Sequence, residues 1–282
     1  MPAPDFVVVG HVTLDETPAG VRPGGAALYA ALTAQRLGCS TGLLTSFGPD
    51  FPREVLPPDL EVVRVPARRT TMFRHDSRSR RRHLTLLGRA SDLNVDDLPA
   101  SWGDAGLALL CPVANEVDPY LVAQFTGGAV AATVQGWMRE RGAGGVITPA
   151  RWEDASLVVR HLQAIFLSRE DMGEFEKDAL EWFQEVPIGV VTLGEDGALL
   201  FVNGERHAIQ ADSAEETDST GAGDVFAAAF LLHYDREGDP WEAAAFATCA
   251  AASSVEVEGI AGIPDRPTIE ARLSRYRSRF GE

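Results

Sequence analysis

Asp218-Ser219-Thr220-Gly221-Ala222-Gly223-Asp224 runs directly into Val225-Phe226-Ala227-Ala228-Ala229-Phe230-Leu231-Leu232. The second run contains neither glycine nor proline, so it predicts a helix that starts at the small residues. The first turn of a helix has backbone N–H groups without intrahelical acceptors and lies at the positive end of the helix dipole. Gly221 and Gly223 carry no Cβ, which lets a bulky anion approach that backbone. Together these features make a phosphate cradle. Asp224 falls on the first turn, where its carboxylate would repel a bound phosphate unless it serves the reaction. One role fits: it accepts the proton of an attacking hydroxyl while the backbone of Gly221, Ala222 and Gly223 holds the charge developing on the transferred group. On these residues alone a plainer reading also stands, in which Asp218 and Ser219 cap a helix and the glycines make a tight turn.

Outward from this stretch the chain alternates strands and helices. Asp5-Phe6-Val7-Val8-Val9-Gly10 reads as a short buried strand. A polar loop with His11, Asp15 and Glu16 follows, then Arg22-Pro23-Gly24-Gly25, then an Ala-rich helix over 26–38 with Gly38 at its C-cap. Further buried strands are predicted over 42–48, 107–112, 129–134 and 164–168. An amphipathic helix is expected over 169–184, and a hairpin over 188–202 turning at Glu195-Asp196-Gly197. Helices over 241–254 and 268–280 close the chain. Three runs between 61 and 90 look instead like β-ribbons. The alternation predicts a three-layer α/β/α sandwich around a mainly parallel sheet, with ligands at the C-terminal ends of its strands.

Composition narrows the function. The chain has 282 residues, 45% hydrophobic and 23% charged, with a net charge of −16. That charge argues against nucleic-acid or anionic-membrane partners but not against a nucleotide held in one local nest. No apolar run is long enough to span a membrane. Met1-Pro2-Ala3-Pro4-Asp5 puts no basic segment ahead of the first apolar run, so no signal peptide is expected. Cys39, Cys111 and Cys249 form no metal or disulfide pattern, which suggests a reducing cytoplasm. There is no Gly-x-x-x-x-Gly-Lys-[Ser/Thr], and no complete Gly-x-Gly-x-x-Gly follows the first strand. The run Arg78-Ser79-Arg80-Arg81-Arg82 reads as a solvated hairpin tip, an anion-recognising cluster or, against the overall charge, a nucleic-acid patch.

The Asp218–Asp224 stretch resembles the Asp-Thr-x-Gly-Ala-Gly-Asp motif of the ribokinase-like (PfkB) carbohydrate kinases, with Ser219 in place of Thr. The resemblance covers nearly the whole chain as one ribokinase-like domain over 1–282, with lid elements near 11–21 and 61–90. It implies an ATP- and Mg²⁺-dependent kinase for a hydroxyl of a sugar or cyclitol. Asp224 would be its base, and Gly221, Ala222 and Gly223 its anion hole. It further implies that Asp15, Gly24 and Gly25 orient the acceptor. Many members have Asn a few residues after the paired glycines, where this chain has Tyr29; packing on the helix face and ligand contact are both open for that residue. Gln135-Gly136-Trp137-Met138-Arg139 is similar to the Gln-Gly-x-x-Arg of a myo-inositol kinase-like subgroup, which makes Gln135 and Arg139 candidates for the acceptor or phosphate region.

On the donor side the resemblance implies nucleotide contacts from Thr192, Gly194, Gly197, Thr220, Ala251 and Ser254. Where the family has Asn-x-x-Glu, this chain has Ser168-Arg169-Glu170-Asp171, so Asp171 is a candidate for indirect Mg²⁺ binding and Ser168 for a helix cap. Lids of the family often pair, which implies a homodimer through the lid. Two further readings remain: a nucleoside kinase of the same fold, and a nucleotide- or sugar-sensing protein with weak catalysis, which the altered metal motif favours and Asp224 opposes.

Overall fold

A computed structural model describes residues 3–18, 20–76 and 83–280. The Arg78–Arg82 cluster lies outside them. In chain order the elements are β1 (Phe6–Val9), β2 (Thr13–Thr17), β3 (Gly20–Gly24), α1 (Ala26–Arg36), β4 (Thr41–Phe47), β5 (Glu61–Pro66), β6 (Thr71–Asp76) and β7 (His83–Gly88). Next come β8 (Leu107–Leu110), β9 (Ala129–Thr133), β10 (Arg139–Arg141), β11 (Ile147–Pro149), α2 (Ala155–Val158), β12 (Ala164–Ser168), α3 (Arg169–Met172) and α4 (Glu176–Glu185). The chain closes with β13 (Ile188–Thr192), β14 (Ala198–Val202), β15 (Glu205–Ile209), α5 (Ala222–Glu237), α6 (Pro240–Ser254) and α7 (Arg266–Phe280).

Among the described residues, nine strands form the main sheet in the order β15-β14-β13-β12-β9-β8-β1-β4-β5. From β13 to β5 every neighbouring pair is parallel, while β14 and β15 run antiparallel at one edge. Alternation along β1 shows why both faces are covered. Phe6 and Val8 enter a core shared with α1, α5, α6 and α7, whereas Val7 and Val9 enter a second core with Trp102, Trp182 and Phe183. Strands buried on both faces need apolar side chains at every position, as the runs in β1 and β8 have. The fold is therefore α/β, with a large, mostly parallel sheet between helical layers.

A second sheet of four strands, ordered β3-β2-β6-β7, stands apart from the first. It corrects two expectations. The polar loop at 11–21 is a strand pair, in which Asp15 faces Arg22 across the β2–β3 ladder and β2 also pairs with β6. Glu61–Pro66, expected in the lid, instead pairs in parallel with β4 at the edge of the main sheet. Its valines explain this: Val62 packs on one core while Val63 and Val65 pack on the other. The helix expected over 169–184 is also divided. Gly173, at φ 44° and ψ −120°, ends α3 after one turn, because that conformation cannot continue a helix.

Candidate active site

The start of α5 lies where the motif requires. Gly221 is its N-cap residue in the left-handed conformation, with φ 78°, which glycine adopts without penalty. The N–H groups of Asp224 and Val225 donate to the Gly221 carbonyl. Among the described residues no protein acceptor meets the N–H groups of Gly221 and Gly223, and Gly223 is exposed. These donors are free to take an anion at the positive end of a sixteen-residue helix.

Asp224 is intermediate in exposure as a residue, while its carboxyl is enveloped by protein. Desolvation pushes its pKa up to about 7; the nearby Asp171 carboxylate raises it further and the Arg139 guanidinium opposes both. A carboxylate poised near neutrality suits a general base. Cys111, just beyond β8, is fully buried; burial, with the Asp224 charge adding to it, pushes its thiol well up and so keeps it protonated.

Gln135 and Arg139, expected at the acceptor or phosphate region, hold each other. Arg139 Nη2 donates to Gln135 Oε1 at 2.9 Å, and Nη1 donates to the Val113 carbonyl at 3.2 Å. The same guanidinium lies 3.6 Å from Asp171. Asp171 forms a capping box with Ser168: its backbone N–H donates to Ser168 Oγ at 3.0 Å, and Ser168 Oγ lies 2.6 Å from Asp171 Oδ2. The expected Ser168 cap is formed, and the same arrangement sets the Asp171 carboxylate near Asp224. Among the described residues no group of three His, Cys, Asp or Glu side chains could enclose a metal. Mg²⁺ on a phosphate donor retains much of its water and needs only one or two carboxylates, so Asp171 fits an outer role.

The acceptor-side residues converge from the small sheet. Asp15 on β2 is buried and accepts from Thr13 Oγ1 at 3.2 Å, with His75 Nε2 3.5 Å away. Gly24 has no room for a Cβ because Asp15 Oδ2 lies over it. Gly25, at φ 98°, starts α1, and a Cβ there would lie 2.6 Å from the His11 carbonyl. Gly24 thus lets the Asp15 carboxylate lie against the chain, and Gly25 lets the start of α1 pack on the backbone of His11 and Thr13.

Tyr29, which the sequence left open, is 2% exposed, and its ring lies against Gly221. Burial and the charges of Asp218, Asp15 and Asp224 raise its pKa. It therefore stands between Asp15 and the Gly221 turn. Its position one turn after Gly25 was the available signal. Arg22 and His75 were missed, because only the pairing of β2 with β3 and β6 brings them beside Asp15.

On the donor side, Thr192 and Ser168 are register partners at the ends of β13 and β12. The hairpin turns where expected, with the Leu193 N–H donating to the Gly197 carbonyl at 2.8 Å. Gly194, at φ 62°, faces open space. Gly197 has a packing reason of its own: a Cβ would strike the Ile209 carbonyl. The Thr220 N–H donates to Asp218 Oδ1 at 3.0 Å. Ala251 is half-buried, and Ser254 is 5% exposed with its hydroxyl donating to the Ala251 carbonyl at 2.8 Å.

His11 and Glu116, which flank this region, are structural. Glu116, in the loop after β8, is 1% exposed. It accepts backbone N–H bonds from His11, Val113 and Ala114. His11 Nε2 donates to the Ser91 carbonyl, which fixes the tautomer and leaves Nδ1 to accept from Thr71 Oγ1. Burial lowers its pKa, so it stays neutral.

Comparison with known proteins gives a consistent result. The family described as pfkB family carbohydrate kinase matches residues 12–266. A cytidine kinase of Thermococcus kodakarensis is 28% identical over 260 residues, covering 84% of this chain and 91% of that protein. A pyrophosphate-dependent kinase in the ribokinase family, solved with a pyrophosphate analog and myo-inositol, superposes with a TM-score of 0.80 at 18% identity, covering 94% and 99% of the two chains. Ribokinase of Arabidopsis thaliana, solved with ribose and ATP, gives 0.73 at 21% identity, covering 96% and 99%.

Proposed function

The chain belongs to the pfkB family of carbohydrate kinases, a family of sugar and nucleoside phosphotransferases, and from that premise we propose that it transfers the γ-phosphoryl group of ATP to a hydroxyl of a sugar or cyclitol. The observation that carries this reading is the start of α5: Asp224, with a carboxyl poised near neutrality, beside the N–H groups of Gly221 and Gly223, which meet no acceptor among the described residues.

Asp15 accepts hydrogen bonds from acceptor hydroxyls, and Gly24 and Gly25 let the acceptor lie close to the start of α1. Asp224 takes the proton from the attacking oxygen. The N–H groups of Gly221 and Gly223 stabilise charge on the transferring phosphoryl group, while that of Ala222 is held by the Ser219 carbonyl at 3.3 Å, and Arg139 adds positive charge beside it. Asp171 would hold the water shell of a Mg²⁺ ion, which when bound neutralises donor phosphate charge. Thr192, Gly194, Gly197 and Thr220 are assigned to the donor phosphates, and Ala251 and Ser254 to the base. The small sheet covers the acceptor and keeps out water, which would otherwise compete for the phosphoryl group. The subgroup-like Gln135–Arg139 pattern supports a cyclitol such as myo-inositol. A lid-to-lid homodimer belongs to the same reading.

A nucleoside acceptor is the second reading, favoured by the likeness to the cytidine kinase over most of both chains. Coupled ADP release decides between them when run across neutral sugars, inositols, sugar phosphates and nucleosides, with pyrophosphate replacing ATP in a parallel arm. A sugar or inositol hit lost in Asp224→Asn, with ATP binding retained, is the expected result. Turnover that survives Asp224→Asn overturns the role of Asp224, and a nucleoside hit moves the acceptor class. Tight ATP binding with no turnover on any acceptor points to a sensing protein.

A further inference from the structure

The residue that joins the small sheet to the anion loop is Arg22. It lies on β3, directly across the ladder from Asp15 on β2. Its Nη2 is 3.0 Å from Asp218 Oδ2, and its Nη1 donates to Glu258 Oε1 at 2.7 Å. The side chains of Arg22 and Asp218 are 24% and 10% exposed, so this pair is shielded from solvent far more than an ordinary surface bridge.

Asp218 is a hub. Its Oδ1 accepts the Thr220 N–H and its Oδ2 accepts the Gly259 N–H, both at 3.0 Å. Its own N–H donates to the Val255 carbonyl at 3.0 Å. One carboxylate therefore fixes the loop that leads to Gly221, the turn after α6 and, through Arg22, the strand pair that carries Asp15. The apolar contact here is incomplete. A cleft of about 320 Å³ separates Thr17, Val21 and Pro23 on the small sheet from Ile260 and Ala261 on the body. The ion pairs of Arg22 bridge this margin.

We propose that Arg22 is a positioning residue: its ion pairs with Asp218 and Glu258 latch the small sheet onto the anion loop and so set the separation between the acceptor held at Asp15 and the phosphoryl group held at 221–223. This rests on the kinase reading for its consequence, but the latch itself does not. Binding an acceptor at Asp15 orders β2, β3 follows through the ladder, and Arg22 passes that order to Asp218. Two sites coupled through one discrete contact influence each other reciprocally.

The test uses the full chain and the variants Arg22→Ala, Arg22→Lys and Glu258→Gln. Hydrogen exchange is read over 13–24 and 218–224, and steady-state kinetics are read with the best acceptor. Arg22→Ala is expected to speed exchange in both segments together, raise the acceptor KM roughly tenfold and lower kcat, as a coupling of ordinary size requires. Arg22→Lys restores most of the kcat by keeping the charge. Glu258→Gln has a smaller effect, because Glu258 is 62% exposed. Added salt weakens the wild type toward Arg22→Ala and leaves that variant unchanged. Faster exchange confined to 13–24, or unchanged KM and kcat in Arg22→Ala, overturns the proposal. If the wild type phosphorylates no acceptor, the exchange measurement still decides the latch by itself, and only the kinase reading fails.

Discussion

The end of β8 and the start of α5 each enclose a carboxylate, and they treat it in opposite ways. Glu116, in the loop after β8, is met by three backbone N–H groups. For Asp224, among the described residues, no hydrogen-bond donor reaches the carboxyl, and a second carboxylate at Asp171 stands nearby. A coordinated carboxylate is a fastener whose charge is compensated where it sits. An enclosed and uncoordinated one holds its proton more tightly and is available to chemistry. Burial alone therefore does not set how tightly a carboxyl holds its proton; the donors around it do.

Four measurements break or sharpen this contrast, beginning with the largest effect. Asp224→Asn should lower kcat about a thousandfold, within the range of a lost general base, with donor binding intact by calorimetry. Residual activity near wild type would erase the distinction. Glu116→Gln should act on stability instead, costing about 2–4 kcal/mol in denaturant unfolding because buried N–H donors lose their charged acceptor. Its folded fraction should turn over normally, and a kcat loss at unchanged stability would place Glu116 in the site.

The third measurement is the pH profile of kcat. With Asp224 pushed up to about 7, the rate should fall below that pH, approaching tenfold per unit. Arg139→Gln should move the midpoint upward and Asp171→Asn downward, since Arg139 favours the charged form and Asp171 opposes it. A midpoint indifferent to both would remove Asp224 from the titration.

The fourth is the smallest and follows from linkage. A folded-state pKa above the unfolded value favours folding at low pH, and that advantage is lost as pH rises from about 4 through about 7. Above neutrality the ionised, uncoordinated Asp224 is a burden. Asp224→Asn should therefore be more stable than wild type at pH 8, by about 1 kcal/mol once partial exposure is allowed for, with the difference shrinking as pH falls. Equal stability at both pH values would show that Asp224 is well solvated.

Much of this architecture was legible. The runs at Phe6–Val9 and Leu107–Leu110 read as doubly buried strands because every position is apolar. The Gly221 turn was legible because a left-handed N-cap needs glycine. Glu61–Pro66 was not, since an edge strand of a parallel sheet and a ribbon of a lid carry the same alternating valines, and only the second core under Val63 and Val65 separates them. Nor was the break at Gly173, because a glycine inside an amphipathic pattern is compatible with an unbroken helix.

At the site, residue types and local geometry were set along the chain: a helix start with two glycines, a carboxylate on its first turn, and a Ser-x-x-Asp cap beside a strand end. These are set by neighbours within a few positions, so they survive without knowledge of the fold. Charge states and long-range pairings were decided only in three dimensions. Asp224 is pushed up to about 7 because the fold buries it and sets the Asp171 carboxylate near it, against the opposing charge of Arg139; these partners are 53 and 85 positions away in the chain, brought in by β12 and by the turn after β9. Arg22 is a latch because β3 carries it to Asp218, and Glu116 is a fastener because its loop folds back over three N–H groups. Electrostatic energy depends on distance through the folded molecule, which separation along the chain does not encode.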